Sequence, residues 1–255
     1  MKFFSTRNLR DAAEGKLIAQ TAPIDVHQAS GSNALASSER VQTPLWLKTG
    51  FCVCVVIAIA VVVRRLVALA YPTQGAPPQM ATLDAVFASR IALTLAHIVP
   101  AMLFVLLTPI IFLRQVRAAW AERLLFPLGA VVGATAYAMS IDAVGGWVER
   151  SAVLFFNTLY LFSLARAYRH ASSGDQLLKR RWMTRAVGIL LGIATTRPVM
   201  AVFFATSQRT HLQPSQFFGF AFWIGFSINT IIVELWLHST GRRSQAESMA
   251  AYSEI

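Results

Sequence analysis

The sequence has few of the residues that usually mark an enzyme or a metalloprotein. Its two cysteines are Cys52 and Cys54, and their C-x-C spacing lacks the further ligands of a zinc site. We expect both to be small apolar side chains within a helix, with palmitoylation as the alternative. The chain also lacks a catalytic or nucleotide-binding motif. We therefore favour a protein without enzymatic activity and predict no metal site.

Charged residues are scarce as well. They make up 14% of the 255 residues, whereas 55% are hydrophobic, a balance that ordinary soluble domains of this size do not show. Each of six apolar stretches approaches the ~20 residues that a helix needs to cross a bilayer. The sequence predicts an all-α, polytopic membrane bundle of about six transmembrane helices, embedded in lipid. The predicted spans are residues 47–70, 91–113, 125–147, 152–168, 186–206 and 217–238.

Basic residues predict the orientation of these spans. With six spans, most Arg and Lys residues of the connecting segments fall on one side, and Arg90, Arg150 and Arg209 fall on the other. The positive-inside rule then places both termini in the cytoplasm and the protein in the inner (plasma) membrane. Arg64 and Arg65 lie near the outer end of the first span, against this rule. We expect them to extend to the outer headgroups, or that span to end early.

The net charge of +11 does not indicate nucleic-acid binding, because the basic residues concentrate at helix ends and not on one continuous face. Residues 1–44 mix both charge signs with Ser, Ala, Gln and Asn, so we expect a flexible cytoplasmic tail. Residues 45–240 form the transmembrane domain, and residues 241–255 a short cytoplasmic C-terminal tail. Six spans are few for a monomeric transporter, so a homodimer is a reasonable expectation.

Small residues predict how two of the spans pack. Gly129 and Gly133 lie in the third span, and Gly188 and Gly192 lie in the fifth. Each pair has the four-residue spacing that lets helix backbones approach closely. Both pairs lie toward the cytoplasmic ends of their spans. We therefore expect the third and fifth helices to contact each other there.

Ionisable residues within the spans carry the functional signal, because a charge at the centre of a membrane helix costs roughly 2.5 kcal/mol or more. His97, Asp142 and Arg197 come from three spans and lie at similar depths below the outer surface. We predict that they form an outward-facing ligand-binding pocket, in which Asp142 pairs with Arg197. The alternative is an ion pair that only fixes helix register. The expected walls of the pocket are Tyr137, Thr196 and Trp223.

His97 leaves a second interpretation open. Membrane cytochromes hold haem between helices through histidine, but His170, His211 and His238 all fall at loops or span ends. No obvious second ligand lies at the depth of His97. Haem is therefore an alternative that we do not favour, and a histidine that lines the pocket through hydrogen bonds is preferred.

Glu234 and His238 lie four residues apart on one face of the sixth span, near its cytoplasmic end. This polar pair could act as one step of a proton relay. We favour instead an ion pair between Glu234 and a basic residue of the segment that joins the fourth and fifth spans. His238 would then lie at the membrane interface.

Three segments resemble a known family. They are RIALTLAHIVPAMLFVLLTPIIFLRQVR at 90–117, RRWMTRAVGILLGIATTRPV at 180–199 and GFSINTIIVELWL at 225–237. They are similar to a bacterial family of predicted membrane proteins called domain of unknown function 2306, over roughly residues 85–240. The chain departs from the family at 121–129, which reads AERLLFPLG where the family usually has a His-Arg-Trp type motif.

This resemblance implies a membrane architecture and no particular reaction, since the family has no established activity. It also implies counterparts for the polar residues within the spans and for the basic-Trp-Met run before the fifth span. The matching residues are His97, Arg181, Trp182, Met183, Arg197, Asn229 and Glu234.

Three classes of function remain open from the sequence. The first is a membrane protein that binds or moves a small polar or anionic ligand, or a proton, through the outward-facing pocket. The second is a membrane redox protein with haem or a quinone, for which the candidates are His97, Phe220, Phe222 and Trp223. The third is a structural or assembly partner of a membrane complex, which would need only its helix faces and the basic cytoplasmic segment. We favour the first.

Overall fold

The structure, a computed structural model, describes residues 44–71, 78–112 and 119–253. These residues form α-helices and one 3-10 turn, and they contain no strand, so the predicted all-α fold is confirmed. Residues 1–43 of the predicted N-terminal tail lie outside the described residues. The helices are α1 Leu45–Ala70, α2 Pro78–Ser89, α3 Ile91–Phe112, α4 Ala119–Met139, α5 Gly146–Ser172, α6 Gln176–Leu190, α7 Gly192–Thr210 and α8 Pro214–Ser253, and the 3-10 turn is Ser140–Asp142.

Five segments of the described chain are long and apolar enough to cross a membrane. They correspond to α1, α3, α4 with the 3-10 turn, α6 with α7 as one stretch, and α8. α5 has 27 residues, which at 1.5 Å per residue extend about 40 Å, but charged residues lie near both of its ends. The protein is thus a multi-pass helical membrane protein.

α5 is the central helix of the bundle. Phe156, Tyr160 and Leu164 recur on one of its faces and are almost fully buried, packed with Phe104 of α3 and Leu125 of α4. α5 also contacts α6 and α8. A helix that neighbours surround on several sides needs less apolar surface than one that faces lipid, and this position explains its lower hydropathy.

The prediction for the third span, 125–147, is wrong at both ends. α4 begins earlier, at Ala119, and its charged first turn is accommodated because Glu122 pairs with Lys179 of α6. At the other end Trp147 belongs to α5. Gly146 adopts a left-handed backbone conformation there, with φ of 61°, which interrupts the helical path after the 3-10 turn.

The basic segment that was expected as a loop is mostly helix. Only residues 173–175 separate α5 from α6, with Gly174 at φ 80° after the end of α5. Asp175 caps α6, since its Oδ1 accepts a hydrogen bond from the backbone N–H of Leu178 at 3.0 Å. α8 continues to Ser253, so residues 241–253, expected as a tail, are helical.

Two ion pairs define the ends of the bundle. Arg90 pairs with Asp142 at the end where α3 and α5 begin, which we call the upper end. Lys179 pairs with Glu122 at the end where α4 and α6 begin, which we call the lower end. α3, α4 and α5 therefore alternate in direction, as short connections between packed helices require.

Glycines set the closest helix contacts, although not between the expected helices. A Cβ at Gly129 would lie 2.7 Å from Leu164 Cδ2 of α5, and a Cβ at Gly188 would lie 2.5 Å from Val233 Cγ2 of α8. The prediction that the third and fifth helices meet at these glycines is wrong, because α4 packs on α5 while α6 and α7 pack on α8. Small-residue spacing predicts a close approach but not its partner.

Candidate functional site

An internal cavity of about 280 Å³ lies among residues of all eight described helices, α1 to α8. We call it the upper cavity. Much of its wall is apolar, as at Val62 of α1, Val105 of α3 and Phe226 of α8. It reaches the surface at the upper end, because Arg90 and Asp142 line it and are both exposed.

The three residues of the predicted pocket all line the upper cavity. His97 lies on α3, Asp142 ends the 3-10 turn after α4, and Arg197 lies on α7. The structure thus brings together residues from three parts of the chain. Their role in ligand binding stays a prediction.

Asp142 does not pair with Arg197, and that expectation is wrong. Its Oδ2 lies 2.9 Å from Nη1 of Arg90, with side chains that are 38% and 53% exposed. The depth argument treated the third span as one straight helix as far as residue 147. The 3-10 turn instead places Asp142 at the upper end, beside the start of α3 where Arg90 lies.

Arg197 is left as an unusual cation in this cavity. Its Nε is buried and has no hydrogen-bond partner among the described residues. Glu149 attracts its charge, but Oε2 of Glu149 already accepts a hydrogen bond from the backbone N–H of Gly145 at 2.6 Å. Arg64 and Arg65 oppose the charge of Arg197. The upper cavity therefore holds a buried guanidinium donor that the described residues do not satisfy.

Arg65 has a partner that the sequence analysis missed. Asp84 of α2 forms ion pairs with both Arg65 and Arg64, and Cζ of Arg65 lies 3.9 Å from the ring centroid of Phe87. The position of the two arginines near the end of α1 is therefore explained by their pairing with α2. Asp84 is the one acidic residue between the first two predicted spans, and this was the available sequence signal.

The proton position on His97 follows from its neighbour. Thr135 Oγ1 donates to the carbonyl oxygen of Val131 at 2.7 Å, which occupies its single hydroxyl proton. The Nδ1 atom of His97 lies 2.9 Å from the same oxygen, so Nδ1 carries the proton and donates. The ring also hydrogen-bonds the backbone carbonyl of Val132, so both polar contacts of His97 are with α4.

Two further polar residues of α5 line the upper cavity. Asn157 is buried, and its Nδ2 donates to the carbonyl oxygen of Gly133 at 2.9 Å. The hydroxyl of Tyr160 is buried and has no hydrogen-bond partner among the described residues. Neither residue was singled out in the sequence analysis, because single asparagines and tyrosines in membrane helices are common and carry no spacing signal.

The expected walls of the pocket lie elsewhere. The hydroxyl of Tyr137 is 2.7 Å from Thr158 Oγ1, and Thr196 is fully buried against Gly225. Trp223 donates from Nε1 to Ser151 Oγ at 3.3 Å. None of the three lines the upper cavity, so the expectation is wrong. Helix rotation decided this, since a depth estimate does not say which way a side chain faces.

The second predicted polar group lies at the lower end. Glu234 accepts two hydrogen bonds from Arg185 of α6, at 2.5 Å from Nε and 3.0 Å from Nη2, so the favoured ion pair with the basic segment is present. His238 is exposed. Across residues 44–71, 78–112 and 119–253, no group of three His, Cys, Asp or Glu side chains is placed to hold a metal ion.

A model of predicted membrane proteins, domain of unknown function 2306 (DUF2306), matches residues 94–237, more than half of the chain. The chain belongs to the DUF2306 family. No curated protein and no solved structure matches it. The DUF2306 region contains His97, Asp142 and Arg197, whereas Arg65 and Asp84 lie before it. The upper cavity therefore combines DUF2306 helices with α1 and α2, which precede the matched region.

Proposed function

We propose that this protein binds a small amphipathic anion in the upper cavity, with an apolar body and a carboxylate or similar oxyanion head. The observation that carries the proposal is Arg197, whose buried Nε has no partner in a cavity with mostly apolar walls. A buried, unsatisfied guanidinium N–H is costly, and an anionic ligand would supply its acceptor.

The charges around the cavity favour an anion over a cation. Arg65, Arg90 and Arg197 line it, opposed by Asp142 and Glu149. Arg90 and Asp142 neutralise each other, and Arg65 is paired with Asp84. Glu149 is bound to a backbone N–H, so among the described residues that line the cavity the cationic donor without a partner is that of Arg197.

The apolar walls select the rest of the ligand. The volume of about 280 Å³ is near the lower end of the range for small-molecule sites, and such sites combine apolar walls with a few placed polar groups. A free inorganic ion would leave these walls unused. A short hydrocarbon body with one charged head fills both parts.

Decanoate is a suitable probe, tested on the full-length protein in phosphatidylcholine nanodiscs. We expect saturable decanoate binding that weakens roughly tenfold or more in Arg197→Gln, because a hydrogen bond to a charged group is lost. The control is Arg209→Gln, on the same helix but away from the cavity. Decanol, with the same body and no charge, should bind more weakly than decanoate.

Two results would contradict this proposal. One is equal decanoate affinity in wild type and Arg197→Gln. The other is equal affinity for decanol and decanoate, which would show that only the apolar walls contribute.

A membrane redox role is the second candidate, and the position of His97 in the wall of the upper cavity favours it. Among the described residues no second histidine lines the cavity, so this ring would be the single histidine ligand of a haem, or a hydrogen-bond acceptor for a quinol. A visible spectrum and pyridine haemochrome assay on protein from a haem-competent host test the haem form. A stoichiometric signal that is lost in His97→Ala and kept in His170→Ala would establish it, and a colourless preparation would exclude it.

The proposed topology has six spans, with α5 as the fourth, and both termini in the cytoplasm of the inner membrane. The length and central position of α5 support this count, and the basic residues at the lower end support the orientation. Labelling of single cysteines in intact cells tests it, in a variant without Cys52 and Cys54. Cysteine at exposed Ser173 should be protected and cysteine at exposed Ile141 should react. The opposite pattern would reverse the topology.

A further inference from the structure

The lower end of the bundle carries a second polar site, a cleft between α5, α6 and α8. Its walls include Arg166 of α5, then Arg181, Trp182 and Arg185 of α6, and His238 of α8. We call it the lower cleft. It shares no lining residue with the upper cavity, so it is a separate site.

Arginine outnumbers carboxylate in the lower cleft. Within the described residues, Glu234 is the carboxylate that pairs with one of these arginines, and both of its oxygens are used by Arg185. Among the described side chains, neither Arg166 nor Arg181 has a carboxylate partner. The cleft therefore keeps an excess of positive charge.

The other carboxylates described near the lower end are engaged as well. Glu122 is paired with Lys179, and Asp175 caps the first turn of α6. Neither can move to Arg166 or Arg181 without breaking an existing interaction. The described carboxylates near the lower end therefore leave Arg166 and Arg181 without a counter-charge.

Arg166 shows that the balance is incomplete. Its Nε is buried and has no hydrogen-bond partner among the described residues, which is costly for a guanidinium. Arg181 donates one hydrogen bond, from Nη2 to the carbonyl oxygen of Leu237 at 3.2 Å. A guanidinium has five N–H donors, so Arg181 keeps others that can donate to a ligand.

Trp182 holds two of the guanidinium groups in place. Cζ of Arg185 lies 4.6 Å from its ring centroid, and Cζ of Arg166 lies 5.3 Å from it. Cation–π contacts of this kind fix the planes of the guanidinium groups before any ligand binds. Planar forks held in position match the oxygens of a phosphate group, which accepts two parallel N–H bonds.

We infer that the lower cleft binds a phosphate group, held by Arg166 and Arg181 while Arg185 stays paired with Glu234. The phosphate is carried either by an anionic membrane lipid or by a soluble molecule, and the recognition chemistry is the same for both. In the proposed topology this cleft lies at the level of the cytoplasmic headgroups, where basic residues attract anionic lipid.

The test uses two probes on the full-length protein in a neutral detergent. Inorganic phosphate is titrated at constant ionic strength and followed by calorimetry. Phosphatidylglycerol is added with an equal amount of phosphatidylcholine, and the retained lipid is counted by native mass spectrometry. The test variant is R166Q/R181Q. The matched control is R180Q, because Arg180 is exposed on the same helix and does not line the cleft.

Wild-type protein should bind at least one probe in a saturable way. We expect affinity to fall roughly tenfold or more in R166Q/R181Q and less than about twofold in R180Q. Phosphate binding would identify a soluble ligand, and selective retention of phosphatidylglycerol would identify a lipid headgroup. The single variant R181K, which keeps the charge but not the fork, should also bind more weakly, and it replaces the double variant if that protein does not fold.

Three results would overturn the inference. The first is that wild-type protein binds neither probe. The second is an equal loss of affinity in R166Q/R181Q and R180Q. The third is an affinity that stays unchanged in R181K, whether R181K is measured beside the double variant or in its place. These outcomes do not depend on decanoate binding in the upper cavity, so each site can fail alone.

Discussion

The upper cavity and the lower cleft both depend on arginine, but they hold it in different ways. In the upper cavity, three arginines face a mostly apolar space: Arg65 of α1, Arg90 between α2 and α3, and Arg197 of α7. Arg65 is paired with Asp84 and Arg90 with Asp142. In the lower cleft, two of three arginines lie over one indole ring, and one carboxylate pairs with Arg185. The first arrangement suits a ligand with an apolar body, and the second suits an oxyanion alone.

This difference shows that the partner of a charge matters more than its presence. Arg197 in the upper cavity and Arg166 in the lower cleft each have a buried Nε without an acceptor among the described residues, as does Arg150 outside both sites. What surrounds them differs: aliphatic and aromatic side chains of several helices above, and a tryptophan with further cations below. The same residue type therefore predicts two ligand classes.

The largest effect is expected where the upper cavity depends on helix approach. In Gly225→Ala the new Cβ would lie 2.6 Å from the backbone nitrogen of Thr196, next to Arg197. Backbone atoms cannot rotate away, so we expect a loss of about 3 kcal/mol in the free energy of unfolding. Thermal unfolding in detergent measures it.

The control for this change is Gly50→Ala on α1, where the added Cβ meets nothing within 4 Å. It should leave stability unchanged or raise it by up to about 1 kcal/mol, since alanine favours helix more than glycine does. Equal loss in Gly225→Ala and Gly50→Ala would mean that the α7–α8 contact is not what holds the upper cavity.

The next effect separates the two ion pairs of the upper end. Asp84→Asn leaves Arg65, whose side chain is 12% exposed, without its carboxylate, and we expect a loss of about 2 kcal/mol. Asp142→Asn breaks a pair that is largely exposed and should cost less than about 1 kcal/mol. Chemical or thermal unfolding of both variants gives the comparison. A larger loss in Asp142→Asn than in Asp84→Asn would restore the Asp142–Arg197 pairing.

A smaller effect is expected at the lower cleft, and its sign is informative. Glu234→Gln removes the carboxylate that neutralises Arg185, so phosphate affinity should rise roughly threefold to tenfold while stability falls by about 1 kcal/mol. Calorimetry with inorganic phosphate measures the affinity. Glu122→Gln, which frees Lys179 at the same end, is the control. A rise of the same size in Glu122→Gln would indicate general attraction and not a site.

The smallest effect is expected for Tyr160→Phe. The hydroxyl is buried without a partner among the described residues, so its removal should change the free energy of unfolding by no more than about 0.5 kcal/mol. Tyr168→Phe, at an exposed position on the same helix, is the reference. A loss well above 1 kcal/mol in Tyr160→Phe alone would mean that the hydroxyl has a partner in the native protein.

The helical membrane architecture was predictable from local properties. Apolar length and composition predicted most of the ends of α1, α3 and α8 to within a few residues, because lipid imposes the same requirement on every span. The boundaries failed where a neighbour compensates a charge, as at Glu122, or where one glycine turns the chain, as at Gly146. Such compensation involves residues far apart in the sequence, which apolar length cannot register.

The candidate site was predictable in part. Depth counting selected His97, Asp142 and Arg197, and all three line one cavity. It selected the wrong partner for Asp142 and the wrong walls, because depth along a helix says nothing about rotation around it. Asp84 and Tyr160 were missed, since one lies on a helix between two predicted spans and the other resembles any buried aromatic residue.

The sequence by itself determined that this protein is an α-helical, multi-pass membrane protein of the DUF2306 family, because hydrocarbon thickness and backbone hydrogen bonding leave few other solutions for such a chain. The tertiary structure decided which charges meet at the upper end. Helix rotation and packing paired Arg90 with Asp142 and Arg65 with Asp84, and they left Arg197 and Arg166 each with a buried donor and no acceptor among the described residues. Those two donors are formed by contacts between distant segments, and the sequence does not encode them locally.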